Sequence, residues 1–179
     1  MPSPVVKHSW SKESKDILSR PAPAEPPKLT SRKIGIHTST AGGVETAAER
    51  AYRLGCNAFQ AFSSSPRMWR PYKLAQTQCE EMQRLLEKYR ISPLVIHTSY
   101  LVNVASTTQE FLKKSILTFR GEVERALALG AQYLVLHPGS YRGSSREEGL
   151  KRAAAAIAAA IDGLETAKCN FKILIENTA

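Results

Sequence analysis

The sequence predicts an α/β protein built on a parallel sheet, and three observations carry that prediction. Short runs rich in Ile, Val, Leu and Phe alternate strictly with segments whose apolar residues recur at helical spacing. The apolar runs are continuous, as expected of strands covered on both faces. No two of them are joined by a two-residue Asn-Gly or Asp-Gly link, so no hairpin is signalled.

Order is expected to begin near Lys33. Residues 1–32 read as a disordered, Pro-rich basic tail: six of the chain's ten prolines lie there among Ser, Lys and Glu. Such a stretch has too little apolar surface to offset the entropy of ordering. Residues 33–179 form the folded domain. Its first strand is expected over residues 33–38 and ends at His37-Thr38. Val44, Ala47, Ala48, Ala51 and Leu54 then mark a helix stopped by Gly55, because glycine accepts the left-handed conformation at helix ends.

Residues 57–62 are the second strand. Met82, Leu85, Leu86 and Tyr89 share one face of a helix over residues 76–89, and residues 93–98 form the third strand. Thr107 and Glu110 make a capping-box pattern opening a helix that runs to Leu129 and Gly130. The fourth strand spans residues 132–137. Ser145 and Glu148 repeat the capping pattern before an Ala-rich helix from Arg146 to about Thr166, and residues 171–176 are the fifth strand. The expectation is five strands and four helices.

The formal charge is +9 and the pI about 9.6. Residues 1–33 hold seven Lys/Arg against three Asp/Glu and residues 34–179 hold 18 against 13, so the folded part shares the excess, as suits a polyanionic partner. Cys56, Cys79 and Cys169 have no ligand spacing and read as reduced thiols of a cytoplasmic protein. No stretch approaches the roughly 20 apolar residues of a membrane span, and no secretory signal is expected.

In parallel α/β proteins functional side chains gather where strands end. Here those positions hold His37, Ser63, His97, His137 and Glu176. The gaps from His97 to His137 and from His137 to Glu176 are 40 and 39 residues, about one strand-plus-helix unit each. Two imidazoles and a carboxylate form a zinc-like His₂Glu set with a position left for water, which the metal acidifies toward neutrality. His8, in the tail, is expected to be inert.

The loop Ser63-Ser64-Ser65-Pro66-Arg67-Met68-Trp69-Arg70 sets two arginines around a tryptophan. Arg on phosphate beside an aromatic surface is one way a loop grips nucleic acid, and packing of Trp69 over the sheet end is the alternative. Tyr100-Leu101 carries the same ambiguity. Ser140 follows His137-Pro138-Gly139, where it either meets a phosphate or faces solvent. Ala41-Gly42-Gly43 is neither a G-x-G-x-x-G nor a P-loop, so no nucleotide cofactor is expected.

Together these segments resemble a known family. Ile34-Gly35-Ile36-His37-Thr38-Ser39 with Ala41-Gly42-Gly43, Ser65-Pro66-Arg67-Met68-Trp69, His97-Thr98-Ser99-Tyr100-Leu101-Val102-Asn103, Leu136-His137-Pro138-Gly139-Ser140 and Ile175-Glu176-Asn177-Thr178-Ala179 resemble, in order and spacing, the N-terminal part of the endonuclease IV family of apurinic/apyrimidinic endonucleases. The resemblance implies a partial (β/α)₈ TIM barrel, comprising the first five strands and four helices. It also implies a zinc-dependent hydrolase of base excision repair, which cleaves the phosphodiester 5′ to abasic sites in double-stranded DNA.

By the same resemblance His97 and His137 bind one zinc, and Glu176, the catalytic carboxylate, bridges it to a second. Arg67, Tyr100 and Leu101 enter the DNA, with His37, Trp69 and Ser140 on the DNA-facing side. The complete family holds three zinc ions and is expected to act as a monomer. Its remaining ligands have no counterpart among residues 1–179. The chain is therefore expected to be a C-terminally truncated form that is marginally stable and weakly active by itself. A xylose-isomerase-like sugar isomerase or epimerase, and an inactive DNA- or zinc-binding fragment, are the alternatives.

Overall fold

A computed structural model describes residues 17–26, 28, 31–70, 73–164, 166 and 170–177. The expectations for His8, for the first half of the tail, for Cys169 and for Thr178-Ala179 lie outside the described residues. After a 3₁₀ turn at Ile17–Ser19 come α1 (Thr46–Arg53), β1 (Phe59–Phe62), α2 (Gln76–Tyr89), β2 (Leu94–His97), α3 (Gln109–Ala128), β3 (Tyr133–Leu136), α4 (Arg146–Ile161) and β4 (Lys172–Ile175). The strands form one parallel sheet in the order β1-β2-β3-β4. This is the partial barrel architecture the sequence predicts.

The helix ends follow the expected chemistry in most places. Gly55 and Gly130 take φ of 77° and 75° just past α1 and α3. The Cys56 amide then reaches back to the Ala51 carbonyl and the Ala131 amide to that of Ala126, each at 3.0 Å, satisfying carbonyls the helix leaves open. Ser145 and Glu148 form their reciprocal cap, both bonds at 3.2 Å. Two endings differ. Thr107 does not cap α3, whose N-cap is Thr108; its hydroxyl donates instead to the Arg142 carbonyl at 3.1 Å. A long-range carbonyl has claimed the hydroxyl that the local pattern assigns to the helix amides. The last helix stops at Ile161, short of Thr166, because Gly163 turns left-handed at φ 72°.

The expected first strand is the main departure. Residues 34–38 run along β1, with Asn57 N–H to the Ile34 carbonyl, Gln60 N–H to that of Ile36 and Thr38 N–H to that of Gln60 at 3.1, 3.0 and 2.8 Å. Only His37–Gln60 forms a bridge, so the sheet has four strands rather than five. Gly35 explains the irregularity: a Cβ there would lie 2.0 Å from the Ala58 carbonyl oxygen, an approach that only glycine permits.

The core lies between sheet and helices, where Met82, Leu94, Ile96, Phe119, Leu129, Leu134 and Leu136 are fully buried. The outer members of the sheet are more open, with Ile34, Ile36, Leu174 and Ile175 exposed. The described part of the N-terminal stretch lies against α1. There Tyr52 Oη donates to the Pro23 carbonyl at 2.5 Å, and Arg53 donates to the Arg20 carbonyl. Tyr52 in turn stacks on Tyr89 of α2, with centroids 4.0 Å apart.

Candidate metal centre and its rim

Parallel register brings the strand-end side chains together. His97 aligns with Val135 and Leu136 with Ile175. The side-chain period of two residues then puts His97 and His137 on one face, and Glu176 stands beside His137 one step past β4. The result is a convergent cluster. His97 Nε2 lies 3.3 Å and His137 Nε2 3.5 Å from the same Oε2 of Glu176, and the ligand atoms of all three residues fall within 4.8 Å of one another. Among the described residues this is the one such group.

The donor set fits zinc. Ligand bonds of about 2.0–2.1 Å in a tetrahedron imply ligand–ligand edges of about 3.3 Å, close to the two observed separations. The orientation of His97 fits as well. Its Nδ1 lies 2.8 Å from the Thr98 carbonyl, which can only accept. Nδ1 therefore carries a proton, which leaves Nε2 as the atom turned to the cluster. His137 Nδ1 faces the Glu176 carbonyl at 3.2 Å and is held the same way. His97 is buried, His137 less so, and the Glu176 side chain is 53% exposed, leaving the centre open on one side.

His37 stands next to the cluster without joining it. Its Nδ1 is 3.0 Å from Gln60 Nε2, which donates to it, and its ring is 4.5 Å from Phe62 and 6.3 Å from His97. Burial, with the neighbouring His97 second, pushes its pKa below the usual histidine value. This favours the neutral form, which accepts from Gln60.

The other expected site residues form a rim above the sheet. Arg67 and Met68 occupy the exposed tip of a turn closed by Met68 N–H to the Ser65 carbonyl. Tyr100, 60% exposed, stands edge-on to Phe62 at 5.3 Å and to His97 at 6.2 Å, with Leu101 half-buried beside it. Trp69 turns away from the sheet end toward α3, edge-on to Phe111 at 5.2 Å with Lys114 Nζ 4.6 Å over its ring. Trp69 thus anchors the Arg67 loop to a helix. Ser140 is exposed and held through its backbone by Asn103.

Ser99 and Asn103 have no signal in composition or periodicity, and Ser63, expected at a strand end, takes partners that the strand pattern does not give. Ser63, at the end of β1, donates to the Glu122 carboxylate and accepts from Arg125 Nε at 3.0 Å; Arg125 and Glu122 are themselves paired at 3.2 Å. Ser99 and Asn103 bond to backbone atoms of neighbouring loops. Nothing local in the sequence marks these long-range pairings, whose partners are 33 to 62 residues away. Ser99 and Asn103 lie inside a segment already singled out for resemblance, the one hint available.

Comparison with known proteins places this geometry. Residues 48–179 match the family model described as xylose isomerase-like TIM barrel. A probable endonuclease 4 from Solibacter usitatus is 49% identical over 147 residues, covering 82% of this chain and 50% of that protein. The crystal structure of endonuclease IV from Thermus thermophilus superposes with a TM-score of 0.69 at 36% identity, over 82% of this chain and 52% of that one. A D-tagatose 3-epimerase-like protein superposes with a TM-score of 0.55 at 18% identity, a likeness of fold alone. The chain spans about half the length of the curated relatives it matches. On these grounds the chain belongs to the xylose isomerase-like TIM barrel family, and its sequence corresponds to the N-terminal part of the endonuclease IV proteins within it.

Proposed function

We propose that this chain supplies the first part of a zinc-dependent DNA-repair endonuclease that cleaves the phosphodiester 5′ to abasic sites in duplex DNA. One observation carries the reading: a His₂Glu cluster with zinc-like ligand separations stands directly beside a rim bearing Arg67, Tyr100 and Leu101. The identity to endonuclease 4 proteins supports the same reading.

In this reading His97 and His137 hold the ion with Nε2, and the carbonyls behind them keep the rings turned inward. Glu176 directs Oε2 at both imidazoles and would supply the carboxylate ligand that a second ion shares. A bound zinc supplies positive charge against a phosphoryl oxygen and acidifies the water it holds. Arg67 at its exposed tip pairs with backbone phosphate, as a guanidinium does well. Tyr100 and Leu101 offer an aromatic face and an apolar wedge to the space an abasic nucleotide leaves. His37 and Ser140 line the same mouth as hydrogen-bonding groups. Three zinc ions and a monomeric state are proposed for the complete barrel. The cytoplasm is its proposed location, and among the described residues no helix is long and apolar enough to cross a membrane.

The test is fluorescence anisotropy with two duplexes, one carrying a tetrahydrofuran abasic analogue and one intact, alongside zinc content by elemental analysis. We expect the zinc-loaded chain to favour the abasic duplex at least tenfold and Arg67→Ala to remove most of that preference. Equal binding of both duplexes by the native chain would refute the reading. Saturable binding of a ketose without DNA preference would support a sugar isomerase instead.

A further inference from the structure

We propose that Ser99 and Asn103 are positioning residues that join the loops after β1, β2 and β3 into a single rim, so that the DNA-entering side chains keep a set place relative to the metal ligands. The DNA part of this inference rests on the function proposed above; the mechanical part does not.

Arg67, Tyr100 and Ser140 lie on three different loops, and each is exposed. Exposed loops without ladder bonds normally move independently. Here they are cross-linked. The Ser99 hydroxyl, in a residue only 4% exposed, donates to the Pro66 carbonyl at 2.8 Å and accepts from Leu101 N–H at 3.2 Å. The Tyr100 amide donates to the same Pro66 carbonyl at 3.2 Å. One buried hydroxyl therefore ties the residue preceding Arg67 to the backbone of Tyr100-Leu101.

Asn103 continues the chain of links. Its Oδ1 accepts from Ser140 N–H at 3.2 Å and from Ala105 N–H at 3.1 Å, while Nδ2 donates to the Ser140 carbonyl at 3.1 Å. Ala105 N–H bonds the Pro138 carbonyl beside it, next to the ligand His137. The Asn103 amide is anchored in turn on the fully buried Ser115 hydroxyl of α3 at 3.1 Å. Gly139 makes room for this contact: a Cβ there would lie 2.2 Å from Asn103 Oδ1. Metal ligand, wedge and phosphate-binding tip are thus connected by side chain-to-backbone bonds. Pre-organisation of this kind lowers the ordering cost of binding and keeps reacting groups in register.

The test uses the full chain with Ser99→Ala and Asn103→Ala, and with Ser99→Thr and Asn103→Asp as variants that keep the hydroxyl and the Oδ1 acceptor. Hydrogen exchange by mass spectrometry reads the links directly. Ser99→Ala should speed exchange in residues 64–70 and 98–104 together, about tenfold, and leave helix peptides unchanged. Asn103→Ala should do the same for 98–105 and 137–142. In anisotropy, each alanine variant should lose about five- to tenfold of the preference for the tetrahydrofuran duplex, as expected for losing one or two hydrogen bonds, with intact-duplex affinity within about twofold. The conservative variants should recover at least half of that loss. Unchanged exchange in residues 64–70 for Ser99→Ala, or uniform acceleration across the chain, would overturn the linkage. Altered exchange with an undiminished abasic preference would overturn the positioning role. If the native chain shows no such preference, the function proposed above fails, while the exchange data still decide the linkage.

Discussion

Replacing Glu122 tests how the Arg67 loop is tied to the rest of the fold. Glu122 lies on α3 with its side chain only 4% exposed; its partner Arg125 is 12% exposed, and the Ser63 hydroxyl at the end of β1 bonds to both. In Glu122→Ala the guanidinium keeps its place beside the sheet with one neutral hydroxyl in place of a carboxylate. Leaving a buried charge uncompensated in this way costs about 3–5 kcal/mol. A whole domain is stable by only about 5–15 kcal/mol, so the variant should sit close to its unfolding threshold. Glu122→Gln keeps the shape and one acceptor and should cost less. The double variant E122L/R125L removes both charges and should return to within about 2 kcal/mol of the native chain, since well-packed apolar groups often replace a buried pair without loss. Urea unfolding followed by far-ultraviolet circular dichroism gives each value, and the double-mutant cycle isolates the coupling. A cost under about 1 kcal/mol for Glu122→Ala, or a double variant no better than the single one, would show that the pair is solvated and that the loop is held by other contacts.

Three further outcomes follow from the same geometry. His97→Ala or His137→Ala should weaken zinc binding by at least about 100-fold in competition with a chromophoric chelator, because each removes one of only three ligands. Gly35→Ala should destabilise the chain by about 1–3 kcal/mol in urea, since its Cβ would lie 2.0 Å from the Ala58 carbonyl oxygen and residues 34–38 must move off β1; wild-type stability would disprove the close approach. Burial raises the thiol pKa of Cys56 and Cys79, so less reactive thiolate is present at a given pH. At pH 8 both should alkylate at least about 100-fold more slowly in the native chain than in denaturant, as mass spectrometry of the labelled peptides can show.

Most of the scaffold was legible because it rests on periodic signals. Apolar runs marked β1 to β4, helical spacing marked the four helices, and Gly55 and Gly130 marked where two of them stop. The meeting of two histidines and a glutamate was legible for a similar reason. Spacings of 40 and 39 residues return the chain to the same edge of a parallel sheet after each helix, so His97, His137 and Glu176 had to end as neighbours. The segment at 34–38 has the composition of a strand; the close approach at Gly35 depends on Ala58, which local composition does not register. Thr107 has the local pattern of a cap, and a carbonyl 35 residues away claims its hydroxyl.

The alternation of strands and helices, the stops at Gly55 and Gly130 and the side chains that meet at the strand tips are set by the sequence alone, since they repeat along the chain or follow from one residue's own conformation. Only the tertiary structure decided that Trp69 turns to α3, that Ser63 joins Glu122 and Arg125, that residues 17–26 lie along α1, and that Ser99 and Asn103 link three loops. These are pairings of single polar or aromatic groups across long separations. Their energy comes from a partner's position in space, and no local pattern records it.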